Sequence, residues 1–159
     1  MLLLSLGCFS ATALIQGVLR IYELGRTDLE LVSETLHDHG FKCGTFGASS
    51  FESRQLATGG FDGGLRIFDL ADTAKPVYDV AAAHAKRVNC IDGVGGLGVG
   101  YGAPELVTGS EDGTVRVWDP RQQESVASLE PAPGQAARDC WAVAFGNSFN
   151  ESERYVAQT

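Results

Sequence analysis

Two stretches decide the fold: Leu56 to Leu70, LATGGFDGGLRIFDL, and Leu106 to Pro120, LVTGSEDGTVRVWDP. They align without gaps at an offset of 50, with seven of fifteen positions identical. A shorter copy, Gly17 to Leu24 (GVLRIYEL), matches Gly63 to Leu70 at an offset of 46, with five of eight identical. Self-similarity at a spacing of about 20 to 50 residues is the mark of a repeat architecture. In the two longer copies an apolar run reaches Asp62-Gly63 or Asp112-Gly113, then alternates into a second strand ending on an aromatic and an acid. This is a hairpin pattern, because glycine accepts positive φ without steric cost and aspartate bonds its own following backbone.

Working outward, a further strand is predicted upstream of each hairpin, at Phe41 to Phe46, Val88 to Asp92 and Cys140 to Phe145. His37 stands four residues before Phe41, and His84 four before Val88. Short strand-like runs at Leu29 to Ser33, Val77 to Val80 and Ser125 to Leu129 separate the units, and Leu2 to Leu6 and Val18 to Tyr22 read as strands at the start. One full period is then four antiparallel strands, with almost no helical periodicity anywhere. The expected organisation is the end of one unit over 1–24, a second unit over 29–70, a third over 75–119 and the start of a fourth over 124–159.

Composition agrees with a folded all-β domain. Of 159 residues, 44% are apolar and 20% charged, and 20 glycines sit mostly in turns. The formal charge of -8 repels phosphate backbones and anionic bilayers, so neither nucleic acid nor membrane is an expected partner. The apolar start, MLLLSLGCFSATALIQGVLRIYEL, lacks the basic flank of a secretory signal, and Gln16 and Arg20 interrupt it before a membrane span accumulates. Without secretion, the acceptor-like Asn150-Glu151-Ser152 has no meaning. Cys8, Cys43, Cys90 and Cys140 stand far apart beside apolar runs, with no zinc spacing. They read as small buried hydrophobes in a reducing compartment, so the expected location is cytoplasmic and no metal is expected.

A four-stranded unit opened by histidine, with Trp118-Asp119 closing its third strand, resembles the WD40 family of β-propellers over nearly the whole chain. The resemblance implies about three blades of a seven-bladed ring, the chain stopping at Thr159 within what should be a second strand. It also implies a structural tetrad at His84, Thr108, Asp112 and Trp118, with aspartate accepting from histidine, histidine bonding the threonine, and the threonine taking the indole N–H. In the preceding unit the set is His37, Thr58, Asp62 and Phe68, which lacks the indole and should form a weaker network; the last unit has Ala136 in the histidine position. The hydroxyl, histidine and aspartate recur as a repeat, unlike a catalytic triad, so no catalytic residue is assigned.

Gly93-Val94-Gly95-Gly96-Leu97-Gly98 is a literal G-x-G-x-x-G after a strand, but Gly100, Gly102 and Pro104 follow where a dinucleotide site needs a helix. We read Gly93 to Gly102 as a loop without a nucleotide cofactor. The run from Ile91 to Gln122, with Lys42 to Ala48 (KCGTFGA) and Asp139 to Asn147 (DCWAVAFGN), lies outside the general WD40 pattern and resembles the Monad family of WD-repeat proteins, assembly factors for axonemal dynein. That resemblance implies a non-enzymatic adaptor in the cytoplasm whose partners are a prefoldin-like co-chaperone complex and axonemal dynein chains. An alternative comes from Trp118-Asp119-Pro120-Arg121, which fits the W-D-x-R box of substrate receptors in cullin-RING ubiquitin ligases and would make Trp118, Asp119 and Arg121 partner-binding residues.

Overall fold

The structure, a computed structural model, describes residues 2–11, 14–49, 54–95, 103–146 and 155–159. Gly96 to Gly102 and Asn150 to Ser152 lie outside the described residues. Among those described the chain is all β, with thirteen strands in four antiparallel sheets. The first sheet holds β1 (Leu2–Ala11), β2 (Leu14–Leu24) and β3 (Leu29–His37). The second runs β4 (Phe41–Thr45), β5 (Gln55–Gly60), β6 (Leu65–Asp69), β7 (Tyr78–Val80) in spatial order. The third repeats that order with β8 (Val88–Val94), β9 (Glu105–Ser110), β10 (Val115–Trp118) and β11 (Ser125–Leu129). The fourth pairs β12 (Val143–Gly146) with β13 (Tyr155–Gln158). One edge strand of each sheet, β1, β4, β8 or β12, lies beside an edge strand of the next, so the sheets fan out as propeller blades from a common axis.

Each of the first three sheets is closed by the first strand of the following sequence unit. β3 falls inside the 29–70 unit but pairs with β2 of the first sheet, from Gly17 opposite His37 to Leu24 opposite Leu29. β7 and β11 close the second and third sheets in the same way. Several strands exceed their sequence expectation. β1 and β2 run on to Ala11 and from Leu14, and β3 continues past Ser33 because Thr35 and His37 still point inward. β8 continues past Asp92, so Gly93 and Val94 of the glycine-rich motif are strand, and only Gly95, at φ 80°, begins the loop. The expected strand at Cys140 starts later, at Val143, because Trp141 and Ala142 both face Thr159: the Trp141 N–H donates to its carbonyl and Ala142 accepts from its N–H.

The hairpins follow their sequence. In the turn after β5, the Asp62 carboxylate accepts from the Gly64 N–H at 3.1 Å while Gly63 takes φ 82°. After β9, Asp112 accepts from the Thr114 N–H at 2.9 Å and Gly113 takes φ 81°. This is the bulged three- to four-residue hairpin link, where the left-handed position calls for glycine.

The apolar cores lie between blades. Leu19, Phe41, Leu56 and Phe68 join the first two sheets; Ala57, Leu65, Ile67, Tyr78, Leu106 and Trp118 join the second and third; Val107, Val115 and Cys140 meet Val143 and Phe145 of the fourth. Burial pushes the Cys43 and Cys90 thiols up to about 12 and raises Cys140 as well. All three are free, as expected of small hydrophobes. The tightest approach between blades is backbone on backbone: a Cβ at Gly47 would strike the Gly93 carbonyl. Gly47→Ala therefore forces the second and third sheets apart and should cost about 1 to 3 kcal/mol, read as a lower midpoint in urea, whereas alanine at Gly146, where the nearest atom to a Cβ is 3.6 Å away, should lower the midpoint less.

Candidate functional site

The third sheet carries a buried polar chain. The Trp118 indole N–H donates to Thr108 Oγ1 at 2.8 Å, and that hydroxyl lies 2.7 Å from His84 Nε2. His84 Nδ1 is 2.9 Å from Thr114 Oγ1, whose hydroxyl donates to Asp112 Oδ1 at 2.7 Å. Directions follow by elimination. Thr114 spends its proton on the carboxylate, so it accepts from Nδ1–H; Nε2 is then the bare nitrogen and accepts from Thr108. Each group of the chain is partnered, as a buried network must be to stabilise rather than strain the sheet. Thr108 and the His84 side chain are fully shielded from solvent. Desolvation lowers the His84 pKa, against the raising influence of Asp112, and keeps the ring neutral.

The four tetrad residues expected from the sequence thus come together, with one change. Asp112 reaches histidine chiefly through the Thr114 hydroxyl; its own Oδ2 is 3.4 Å from Nδ1 and accepts instead from the Ala85 N–H at 2.9 Å. These hydrogen bonds hold Asp112 down to about 2 despite partial burial. Sequence reasoning overlooked Thr114. The signal was available, because position 114 is one of the mismatches with the preceding repeat, where Gly64 stands.

That mismatch reshapes the second sheet. Thr58 and Phe68 are buried there, but His37 Nε2 has no hydrogen-bond partner, and Thr58 donates to the Arg66 carbonyl at 3.3 Å. The His37 ring packs edge-on against Phe68 and Phe41, centroids 4.9 and 5.2 Å away. Asp62 turns to Arg66, which donates to it from both terminal nitrogens at 3.2 and 2.7 Å. A side chain at Gly64 would occupy the space of that guanidinium. His37, Thr58, Asp62 and Phe68 are neighbours, then, without the weaker hydrogen-bonded network expected of them: aromatic packing and an ion pair replace it. Ala136 sits exposed in the segment before the fourth sheet.

The W-D-x-R residues separate by burial. Trp118 is 2% exposed and belongs to the tetrad; Asp119 is 9% exposed and accepts from Arg121 Nε at 2.9 and 3.0 Å. Of the three, only Arg121 offers its side chain to solvent, 69% exposed. Among the described residues no three metal-binding side chains converge.

Residues 75–119 match the WD domain, G-beta repeat family. Dynein axonemal assembly factor 10 of Chlamydomonas reinhardtii is 60% identical over 139 residues, which cover 87% of this chain and 38% of that protein. The proteins of the same name from Xenopus laevis and Homo sapiens are 55% and 54% identical, over 94% and 88% of this chain and 42% and 39% of their own lengths. The chain therefore spans about two-fifths of these curated relatives. Among solved structures, Saccharomyces cerevisiae Sqt1 superposes with a TM-score of 0.63 over 84% of this chain and 38% of Sqt1, at 14% identity.

Two outcomes test the site. Asp112→Ala strands the Thr114 hydroxyl and the Ala85 and Thr114 N–H groups and should cost about 1 to 3 kcal/mol, more than Asp62→Ala, whose Arg66 partner keeps the Asp79 carboxylate 3.2 Å away. Urea titration of both variants reads the difference. For pH, the folded pKa values of His37 and His84 lie below the unfolded value of 6.5, both mainly through burial. The unfolded chain then binds more protons across that window, so stability is complete above 6.5 and falls as pH drops below it. Asp112 adds stability that is present above 3.8 and lost as pH falls toward 2. Urea midpoints at pH 7.5 and 5.5 should show the first loss, and His37→Phe should reduce it.

Proposed function

Because the chain belongs to the WD40-repeat family of β-propellers, we propose that it serves as a non-enzymatic scaffold in the preassembly of axonemal dynein in the cytoplasm, working with a prefoldin-like co-chaperone complex and dynein chains. One observation carries this reading: identity above 50% to dynein axonemal assembly factor 10 across most of the chain in both a green alga and vertebrates. The geometry supports the non-enzymatic part. The histidine and hydroxyl that resemble hydrolytic machinery are sealed inside the blade, where no substrate reaches them, and each spends its hydrogen bonds on structure. A rigid fan of sheets joined by exposed loops suits several simultaneous protein contacts.

Removing the protein from flagellated cells should leave axonemes short of dynein arms, and a tagged protein should copurify with prefoldin-like subunits and unassembled dynein heavy chains. Normal arms and motility in the depleted cells would overturn the reading. The exposed, Asp119-anchored Arg121 supports a second reading as a ligase substrate receptor. Arg121→Ala should leave dynein assembly intact under the first reading, whereas under the second it abolishes capture of the cullin adaptor.

A further inference from the structure

At two successive blade junctions a glycine of the second strand is covered from the same two positions. A Cβ on Gly59 of β5 would meet Val88 Cγ1 at 2.5 Å and Cys43 Sγ at 2.8 Å, and a Cβ on Gly109 of β9 would meet Cys140 Sγ at 2.6 Å and Cys90 Sγ at 2.7 Å. Gly109 is the counterpart of Gly59, Cys90 of Cys43, and Cys140 of Val88. The valine shows that this position asks only for a small apolar group, yet the junction of the third and fourth sheets places a second sulfur there. Two free thiols therefore share the space that the missing Cβ of Gly109 leaves, and each is a hydrogen-bond neighbour of the other.

The surroundings suit the oxidised pair. Val107, Val115, Val143 and Phe145 form an apolar shell about the two sulfurs. The Cys90 thiol donates to the Gly109 and Cys140 carbonyls at 3.7 and 3.8 Å, and the Cys140 thiol to the Ala142 carbonyl at 3.6 Å, the long contacts of a weak donor. A disulfide has neither S–H nor charge, so bridging the sulfurs removes two poorly satisfied donors from that shell and leaves nothing polar to desolvate. Cys140 is 5% exposed while Cys90 is half-buried, so an oxidant meets Cys90 first. Burial pushes the Cys90 thiol up to about 12, which leaves little thiolate at neutral pH and makes exchange slow, on the order of hours.

We propose that Cys90 and Cys140 are a redox modification site, oxidised to an intrachain disulfide by a small disulfide of the glutathione class. Cys90 loses its proton and attacks one sulfur of the small disulfide; that S–S bond breaks, and one small thiolate leaves and takes up a proton. The Cys140 thiolate then attacks the Cys90 sulfur and expels the second small thiolate. The chain gives up two electrons and two protons, and one small disulfide becomes two small thiols. β9, β10 and β11 lie between the two cysteines in sequence, so the bond encloses the third blade and ties its first strand to the segment leading into the fourth. The site is independent of the scaffold reading and is measured without dynein or co-chaperones, so either can fail alone.

The test equilibrates the folded 159-residue chain in buffers of graded oxidised-to-reduced glutathione ratio, traps free thiols with N-ethylmaleimide in acidic urea, and maps tryptic peptides by mass. Trypsin separates all four cysteines, with Cys90 in Val88–Arg116 and Cys140 in Asp139–Arg154. These two peptides should be recovered joined from oxidising buffer and separate again after dithiothreitol, and the oxidised chain should unfold at a higher urea midpoint than the reduced one. Cys140→Val, which copies the residue of the second junction, should keep the far-ultraviolet circular dichroism of the parent but lose both the joined peptides and the midpoint difference. Both thiols trapped by N-ethylmaleimide in every buffer, glutathione held on Cys90 with no joined peptide, Cys8 or Cys43 joined as readily as Cys140, or a bond between two chains would each overturn the proposal.

Discussion

One oxygen atom, Oγ1 of Thr108, holds three parts of the chain in place. It takes the indole proton from β10, gives its own to the histidine of the 81–87 segment, and sits on β9 with no exposure to water. Water cannot take over either role, so the positions of all three elements are fixed together. The segment so held also touches the preceding blade: the His84 N–H donates to the Gly63 carbonyl at 3.0 Å, and the His84 and Lys86 carbonyls crowd the space a Cβ at Gly63 would fill. Ser110 bonds the Lys86 carbonyl from the other side. A network internal to the third sheet therefore sets where that sheet lies against the second.

The second sheet reaches the same shape by other means. Phe68 fills the volume of Trp118 but offers no proton, Gly64 offers no hydroxyl to relay one, and the histidine turns to its aromatic neighbours. Arg66 then occupies the room left at Gly64 and neutralises Asp62. The two sheets share a backbone because the Asp-Gly turn and the inter-blade apolar residues are common to both, while the polar interior is free to vary. Aromatic packing is less directional than hydrogen bonding, so the second blade should open more readily than the third.

Periodicity and turn chemistry made the blades legible in the sequence. The Asp-Gly pairs sit where a left-handed residue is required, and a histidine, a threonine and an aspartate recur in the same order in both full units. What escaped were features that depend on two segments meeting. The Thr114 relay needs His84 to arrive from thirty residues away, and the Arg66 to Asp62 pairing needs the absence of a side chain at Gly64. The register against the next strand slips at Lys42 in β4 and at Asn89 in β8, and such bulges leave no mark, because a single inserted position in a five- to seven-residue strand looks like any other polar residue. Strand ends were misjudged where polar residues face a neighbouring blade, as at Thr35, whose hydroxyl meets that of Thr73 at 2.6 Å.

The one-strand stagger between sequence unit and sheet bears on how such a chain can change length through descent. β3 is encoded with the second unit yet completes the first sheet, and β7 and β11 repeat the relation. Each of the first three blades is thus co-owned by two adjacent genetic repeats. Duplicating or deleting one repeat of 46 to 50 residues exchanges a closing strand for its homologue at the same register, so no sheet is left short. The cost of the arrangement is shared liability: a lesion in the first strand of one repeat is felt in its neighbour's blade.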